Sequence, residues 1–439
     1  MIVMTTIATI VLTAGLLQAQ TVPDWIDHNI ETLRLVQIVH RHGERTALKD
    51  SFPTTDPFRD SKYWPEGYGA LTNAGKYRMY KIGEYLRQWY DLYLGDDYSP
   101  REVYARSSIE HRCIESVQCL LAGLYPETRG IWNWAQTGNP VLAKMWLPFP
   151  IETFMPKDDD TLLVPHKKCP KATKEHQIIS DSEDVMKIFT DYNSNTISQY
   201  LKILFNESIT SLYRGQQFYD TLNIEWERDR IWPNFTTTDA PYNQTQVLDV
   251  LRVFSVGSYV YDWNREFILR IRIGNLIQTL INNMKLVIDS KHNESSVKKP
   301  FKLYVYSTHD TIVVPLLQLL NLYNNMIPAY GASIIFELHE RPNSAQVADK
   351  YFVDIYYFND TLNRIPYKLN LGKPFETFES QNTKWFYEDF NKLCGIDDDN
   401  SEANKNVVLG QMLFMVVGIA IGVALLGINI LVIRFMRSH

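Results

Sequence analysis

Residues 33–46 read LRLVQIVHRHGERT, and this stretch decides the fold. Apolar and β-branched residues fill its first half, a pattern that predicts a buried strand. The strand ends at HRHGER, where Gly43 permits a tight turn and frees backbone N–H groups. Two histidines and two arginines therefore follow a strand directly, at the position where open α/β sheets bind their ligands.

The charges in this turn predict an anionic ligand, with phosphate as the leading candidate. Arg41 and Arg45 stay charged at any working pH, and their forked donors match phosphate oxygens. His42 lies between them and can act as a nucleophile, a general base or a hydrogen-bond donor. An isolated HRHG is equally typical of a basic surface turn, so the prediction needs support from the rest of the chain.

Two further strand ends give that support. Residues 102–105 (EVYA) predict a short strand that ends at Arg106, and residues 301–306 (FKLYVY) predict one that precedes His309 and Asp310. A helix is predicted after each of them. Three strand-to-helix junctions therefore converge on Arg41, His42, Arg45, Arg106, His309 and Asp310.

With these motifs the sequence resembles the histidine acid phosphatases, whose signatures are RHGxRxP near the start and a late HD dipeptide. Residues 41–47 read RHGERTA, residues 309–310 read HD, and Arg106 matches the family's middle phosphate-binding arginine. The resemblance covers residues 33–394 and is closest to lysosomal-type and insect venom-type members. It implies the histidine phosphatase fold, an α/β fold with a mixed central sheet flanked by helices.

The resemblance also implies a function and a set of site residues. The function is metal-independent hydrolysis of small phosphate monoesters through a phosphohistidine, without a cofactor. His42 would be the nucleophile and Asp310 the proton donor, although Asp310 can also merely cap the following helix or orient His309. The phosphate-binding residues would be Arg41, Arg45, Arg106 and His309.

Catalysis at acid pH requires a neutral His42 and a protonated Asp310. We expect the three arginines to lower the pKa of His42, because nearby cations disfavour imidazolium. We expect bound phosphate to raise the pKa of Asp310 for the converse reason.

The sequence departs from the family pattern at several positions. Ala47 replaces the usual proline, and the stretch usually written RSTDVDRT reads RSSIEHRC over residues 106–113. Ile109 and His111 thus replace two acids. These exchanges affect the side chains that would position Arg106, while the phosphate-binding residues themselves are retained.

Length and composition bound the class of protein. The chain has 439 residues, of which 45% are hydrophobic and 21% charged, so it can bury a large core. A net charge of −6 argues against nucleic acid as a partner. The basic motif is local, which suits a small anionic substrate.

The distribution of strands and helices predicts an α/β core with an inserted helical lobe. The core comprises residues 30–132 and 247–396, with further strands at 332–340 and 351–358. Residues 133–246 change to Pro, Trp, Asp and Lys without a comparable strand, which is typical of a mainly helical lobe that roofs a site. Helices are predicted at 71–94, 108–125, 181–205, 207–223, 247–261 and 266–289.

The N-terminus and the sequons predict a lumenal or extracellular domain. Residues 1–20 form an apolar run that ends in small residues, as a secretory signal does, although a membrane anchor is an alternative. N-x-S/T sequons for glycosylation occur at Asn206, Asn234, Asn243, Asn293 and Asn359.

The C-terminus predicts a single-pass type I membrane protein at the lysosome or cell surface. Residues 397–406 form an acidic linker, 407–433 an apolar segment of spanning length, and 434–439 a cytoplasmic tail with two arginines. A buried core helix is the alternative for the apolar segment. Gly418 and Gly422 form a GxxxG pair, a pattern that favours a homodimer.

Four cysteines in a chain with sequons indicate an oxidising compartment. Cys113 and Cys119 fall on different faces of one predicted helix, which argues against a bond between them. Cys169 and Cys394 remain, and the resemblance implies a disulfide between them. A metal site is the competing use of these thiols, but no CxxC spacing supports it.

A zinc-dependent hydrolase is the main competing function. His40 and His42 form an H-x-H at a strand end, and alternate residues on a strand share a face. The flanking arginines would repel a cation, and His309-Asp310 is the one later match for further ligands. A packed His40 and no metal is therefore the prediction.

Two more competing functions keep the fold. Phosphoglycerate mutases share RHGE, which includes Glu44, but the late HD dipeptide and the predicted secretion favour a phosphatase. A non-catalytic cell-surface glycoprotein would carry a vestigial pocket. The complete set of predicted pocket residues favours an enzyme instead.

Overall fold

The computed structural model describes residues 30–126, 147–163, 169–233, 241–292, 299–342, 350–359 and 367–396. The predicted signal segment, acidic linker, membrane segment and tail lie outside these residues, as do Asn234 and Asn293. Within the described ranges, no helix combines the length and the apolar composition needed to cross a bilayer.

A six-stranded mixed sheet forms the centre of the structure, in the order β2-β3-β1-β4-β5-β6. The three strands that precede the predicted site residues are parallel neighbours, and the other three pair antiparallel. The predicted mixed sheet is therefore confirmed. The strands are β1 (Leu33–Arg41), β2 (Val103–Ser107), β3 (Leu303–Thr308), β4 (Ser333–Glu340), β5 (Tyr351–Phe358) and β6 (Tyr367–Pro374).

Eleven α-helices occur among the described residues, and some of them flank both faces of the sheet. In chain order they are α1 (Asn73–Leu94), α2 (His111–Leu124), α3 (Pro170–Ser180), α4 (Glu183–Asn193), α5 (Thr196–Phe205), α6 (Leu212–Glu227), α7 (Gln244–Tyr261), α8 (Glu266–His292), α9 (Asp310–Leu319), α10 (Phe375–Asn382) and α11 (Phe390–Cys394).

Alternate side chains of β1 point to opposite faces of the sheet and pack into two separate cores. Val36 and Ile38 pack with apolar residues of α1 and α2 on one face of the sheet. Leu35 and Val39 pack with α8 and α9 on the other face. Because both faces are covered, β1 reads as a nearly continuous apolar run, which is why the sequence identified it so clearly.

The mainly helical lobe has a core of its own, built from aromatic and aliphatic side chains of α3 to α7. The rings of Phe205 and Phe218 lie 4.9 Å apart at their centroids. Phe254 of α7 belongs to this core, whereas the predicted α/β core includes residues 247–261. The predicted boundary at residue 246 is therefore too early. Apolar periodicity identifies a helix but does not reveal its packing partner.

Several elements of the structure are absent from the prediction. These are β6, α3, α10 and α11, and the single helix predicted at 181–205 is divided into α4 and α5. The division has a local cause, because Asn195 caps α5 by accepting a hydrogen bond from the Ile197 N–H.

Among the described residues, a smaller unit comprises Cys169–Lys171 and residues 388–396. Within it, Cys169 and Cys394 form a disulfide across a sequence separation of 225 residues. Cys113 and Cys119 are free thiols. The structure thus contains the disulfide that the resemblance implied and keeps the other two thiols apart.

Three predicted glycosylation sites fall in the described residues. Asn206 and Asn243 are exposed, at the end of α5 and the start of α7. Asn359 is only 7% exposed, and its side-chain oxygen accepts a hydrogen bond from the Ala329 N–H at 2.8 Å. A glycan would have to pull Asn359 out of this position, so its burial argues against the predicted site there.

Candidate active site

The ends of β1, β2 and β3 bring the predicted site residues to one edge of the sheet. Arg41 pairs in register with Thr308, directly before His309, and β2 runs parallel to β3 on the far side. The rings of His42 and His309 lie 5.5 Å apart at their centroids. The predicted convergence of the three junctions is therefore what the structure shows.

The two ring nitrogens of His42 differ in their hydrogen bonds. His42 is 2% exposed, and its Nδ1 lies 2.8 Å from the Gly43 carbonyl oxygen. A carbonyl only accepts, so Nδ1 carries the proton and Nε2 carries the lone pair. Among the described residues none forms a hydrogen bond with Nε2.

The pKa of His42 is held well below its ordinary value of 6.5. Burial is the main cause, because it disfavours the charged imidazolium. The sequence predicts that Arg41, Arg45 and Arg106 supply the effect. The neighbouring groups that lower the pKa further are, in order of effect, Arg112, Arg41, His309 and Arg45. Arg112 therefore has the effect on the pKa of His42 that the sequence analysis assigned to Arg106.

Asp310 begins α9 and faces two partners in the pocket. Its Oδ2 lies 2.7 Å from a guanidinium nitrogen of Arg41 and accepts a hydrogen bond from the Tyr259 hydroxyl at 2.9 Å. Its Oδ1 accepts from the Thr311 N–H at 2.7 Å, within the first turn of α9, whose N-cap residue is His309. Burial alone would raise the pKa of Asp310, but the charges of Arg41 and Arg45 outweigh it and lower the pKa.

His309 is engaged on both ring nitrogens. Arg112 donates to Nδ1 at 3.4 Å, and Nε2 lies 3.1 Å from the Ser108 hydroxyl. Burial, followed by the charge of Arg112, lowers the pKa of His309 to about 3. A neutral His309 can donate to phosphate only after its N–H turns away from Ser108.

The two arginines of the RHGER turn are fixed by acceptors. Arg41 donates to the Pro328 carbonyl at 2.6 Å and lies over the ring of Tyr330 at 4.3 Å. Arg45 donates to Asp220 of α6 at 2.8 Å. A lobe helix therefore contributes a carboxylate to the pocket, which fits the prediction that the lobe roofs the site.

Arg106 is positioned by a residue that no motif revealed. It pairs with Asp159 at 2.9 Å, and Asp159 is 1% exposed. The same carboxylate oxygen accepts from the N–H groups of Thr161 and Leu162, at 3.2 and 2.9 Å. This anchor explains how Arg106 can stay in place although Ile109 and His111 have replaced acids that the family carries.

Sequence reasoning missed four residues of the pocket, for different reasons. Arg112 lies inside the stretch that differs from the family pattern, and its place in the first turn of α2 was a usable signal. The other three come from loops or helices distant in sequence, where nothing local marks them. They are Asp159, Asp220 and Tyr259.

Gly43 has a different role from the predicted one. A Cβ atom at Gly43 would lie 2.6 Å from the Gly75 carbonyl oxygen, at the start of α1. Its N–H is not free either, because it donates to the Ser116 hydroxyl at 3.0 Å. Gly43 therefore permits close packing of the turn against α1 and α2.

The zinc hypothesis for His40 and His42 finds no support in the described residues. His40 is fully buried, with Nδ1 3.0 Å from the Arg41 carbonyl oxygen. Burial lowers the pKa of His40 to about 4. In the described ranges, no third histidine, cysteine or carboxylate forms a metal-binding group with His40 and His42.

Comparison with known proteins gives consistent results. The model of the histidine phosphatase superfamily (branch 2) matches residues 32–357. Prostatic acid phosphatase of Homo sapiens is 30% identical over 352 residues, which are 79% of this chain and 83% of that protein. Lysosomal acid phosphatase of Rattus norvegicus is 28% identical over 399 residues, 88% of this chain and 86% of that protein.

A solved structure supports the fold. The phytase of Citrobacter braakii superposes with a TM-score of 0.57 at 15% identity, over 83% of this chain and 99% of the phytase. The predicted family and the predicted phosphatase activity are therefore confirmed, and the chain belongs to the histidine phosphatase superfamily, branch 2.

Proposed function

We propose that this chain is an acid phosphatase that hydrolyses phosphate monoesters through a phosphohistidine on His42. The observation that carries the proposal is the bare, neutral Nε2 of His42 beside buried guanidinium groups and a carboxyl group. Nε2 attacks phosphorus, and the bond from phosphorus to the ester oxygen breaks. Asp310 gives its proton to the leaving alkoxide. Water then attacks the phosphohistidine, gives a proton back to Asp310 and releases inorganic phosphate.

The pKa of Asp310 is lowered, whereas its proposed role requires a protonated carboxyl group. Bound phosphate would remove this conflict. Arg41 pairs with Asp310, and Arg45 pairs with Asp220. A phosphate dianion competes for the same guanidinium groups and brings negative charge next to Asp310. Both changes raise the pKa of Asp310, so the carboxyl group becomes a proton donor when a substrate is bound.

Positive charge in the pocket also stabilises the transition state. The equatorial oxygens of the transferring phosphoryl group take up negative charge as the reaction proceeds. Arg41, Arg45 and Arg106 are assigned to these oxygens, with His309 as a further donor. Arg112 is close enough to act on the pKa of His42, and it holds His309 in place.

An assay of the purified chain with an aryl phosphate, with and without a chelator, tests the reaction. We expect full activity in the presence of the chelator, and no turnover by His42→Ala. His176→Ala, which changes an exposed histidine of α3, is the control and should stay active. Activity that is lost on chelation and restored by zinc would contradict the proposal.

We also propose a type I membrane topology with the catalytic domain on the lumenal or extracellular side. The apolar leader at residues 1–20, the apolar segment at 407–433 and the exposed sequons at Asn206 and Asn243 support it. Glycosidase treatment should increase gel mobility, and alkaline extraction should leave the chain with the membranes. A chain that alkaline extraction releases would refute the anchor.

A further inference from the structure

A second cluster of ionisable side chains lies at the opposite end of the sheet from the pocket. Glu337 and His339 are alternate residues of β4, and Asp354 of β5 is the register partner of Glu337. Such residues point to the same side of a sheet, here the side covered by α1. His339 pairs with Leu33 at the start of β1, whereas His42 follows its end.

The donor atoms of this cluster have the spacing of a metal site. His339 Nε2 lies 3.0 Å from Glu337 Oε2 and 3.9 Å from Asp354 Oδ2. One ligand atom from each residue lies within 4.8 Å of the others. Zinc bonds to nitrogen and oxygen are about 2.0–2.2 Å long, so tetrahedral ligand atoms lie about 3.4 Å apart. The distance from His339 Nε2 to Glu337 Oε2 is shorter than this value, and the distance to Asp354 Oδ2 is longer.

Each of the three residues is also held through its other polar atom. Residues that ligate metals commonly show this arrangement, because the outer hydrogen bond fixes the orientation of the ligand. Three different parts of the chain supply the bonds here. They join Thr32 Oγ1 to His339 Nδ1 (2.9 Å), Tyr90 Oη to Glu337 Oε1 (2.5 Å) and the Gly372 N–H to Asp354 Oδ1 (2.5 Å).

Burial separates this cluster from the acidic patches that are common on protein surfaces. The Glu337 side chain is 0% exposed and that of His339 is 4% exposed. The Asp354 side chain is 15% exposed, which gives an ion a route of entry.

The environment of the cluster is negative. Glu337 and Asp354 bring two carboxylates to the cluster, and His339 brings one imidazole. Arg34 and Lys350 lie near the same end of the sheet, but they pair with Glu340 at 2.7 and 3.2 Å. A divalent cation would match this charge and the three ligand atoms together.

We propose that Glu337, His339 and Asp354 bind one Zn²⁺ ion. One imidazole and two carboxylates form a ligand set that zinc uses in proteins. Water would complete four-coordination. The ion would join β4 to β5 and, through Thr32 and Tyr90, stabilise the start of β1 and helix α1. It lies apart from the pocket, so its role is structural and the chemistry at His42 does not require it.

Direct metal binding tests the proposal. The full chain is stripped with a chelator, dialysed and titrated with Zn²⁺ against a chromophoric competitor, and Co²⁺ is added separately to record visible absorption. We expect one zinc per chain, a tetrahedral cobalt spectrum and a higher thermal midpoint with zinc. His339→Asn should weaken zinc binding at least ~100-fold, and Tyr90→Phe, which removes one outer hydrogen bond, by ~10-fold.

Two control variants test whether other histidines bind the zinc. His42→Ala removes the pocket imidazole and His176→Asn removes an exposed one, and both should bind zinc like the unmodified chain. The proposal is wrong if the unmodified chain binds no zinc, or if folded His339→Asn binds it equally well. Should His339→Asn fail to fold, an unchanged zinc affinity in Tyr90→Phe overturns the proposal by itself.

Discussion

The catalytic pocket and the Asp56–Glu225 pair are both buried clusters of ionisable groups, and their pKa values shift in opposite directions. Asp56 lies in the loop between β1 and α1, and Glu225 lies in helix α6 of the lobe. In the pocket, burial and excess positive charge lower the pKa of His42 and His309. In the pair, burial raises the pKa of both Asp56 and Glu225, and the charge of Asp56 adds to the effect on Glu225. The pocket therefore requires an anion, whereas the pair requires a proton.

The two regions also respond oppositely to pH. A histidine with a lowered pKa binds fewer protons when folded than when unfolded, so stability falls as the pH drops below about 6.5. A carboxyl group with a raised pKa binds more protons when folded, so stability falls as the pH rises above about 4.5. Phosphate in the pocket offsets the first effect. In the acidic solution in which the proposed enzyme would act, the Asp56–Glu225 pair stays protonated and keeps its contribution to stability.

The largest expected effect is the loss of kcat in Asp310→Asn, which should differ between two types of substrate. Alkyl phosphates need a proton on the leaving oxygen, so their kcat should fall by ~10²–10³. p-Nitrophenyl phosphate, whose phenolate leaves unaided, should slow only a few-fold. Steady-state kinetics of both substrates on this variant measure the difference.

Tyr259→Phe is the matched control for Asp310→Asn. It removes a hydrogen bond that lowers the pKa of Asp310 but keeps the carboxyl group. Activity should extend to higher pH in this variant, because a raised pKa keeps Asp310 protonated. Equal slowing of both substrates by Asp310→Asn would reject the proton-donor role.

A smaller effect tests how Arg106 is positioned. Asp159→Asn keeps an oxygen for the Thr161 N–H but removes the charge that faces Arg106. We expect KM and the inhibition constant of inorganic phosphate to rise by roughly tenfold, since charge-assisted hydrogen bonds are worth about 1.5–3 kcal/mol. The exposed neighbour Asp158→Asn should change neither constant. Equal constants in Asp159→Asn and the unmodified chain would show that Arg106 needs no such anchor.

The smallest expected effect is on the free energy of unfolding, and it tests whether the Asp56–Glu225 pair holds an extra proton. Glu225 is 0% exposed and accepts from the indole N–H of Trp232 at 2.8 Å. Glu225→Gln keeps an acceptor oxygen but takes no proton. One proton bound on folding gives a slope of about 1.4 kcal/mol per pH unit, so the variant should lose less stability between pH 5 and 8.

Urea unfolding at several pH values measures that slope. The exposed lobe residue Glu183 provides the control variant, Glu183→Gln, which should keep the slope of the unmodified chain. An unchanged slope in Glu225→Gln would mean that the pair does not hold the extra proton.

The comparison also explains what the sequence could reveal. β1 and β3 are covered on both faces, so their composition identified them as strands, and the residues that follow them lie together at one edge of the sheet. Asp159 and Asp220 meet their arginines only in the folded chain, 53 and 175 residues apart in sequence. No periodicity encodes such a contact. For the same reason α7 was predicted as a helix but assigned to the wrong core.

The most direct test of the central claim is to trap the phosphoenzyme. The chain is mixed with ³²P-labelled phosphate monoester, quenched within milliseconds and separated from free label under denaturing conditions. Our account predicts label that is stable to alkali, labile to acid and located on His42, and no label in His42→Ala. Label that persists in His42→Ala, or turnover by that variant at the rate of the unmodified chain, would contradict the account.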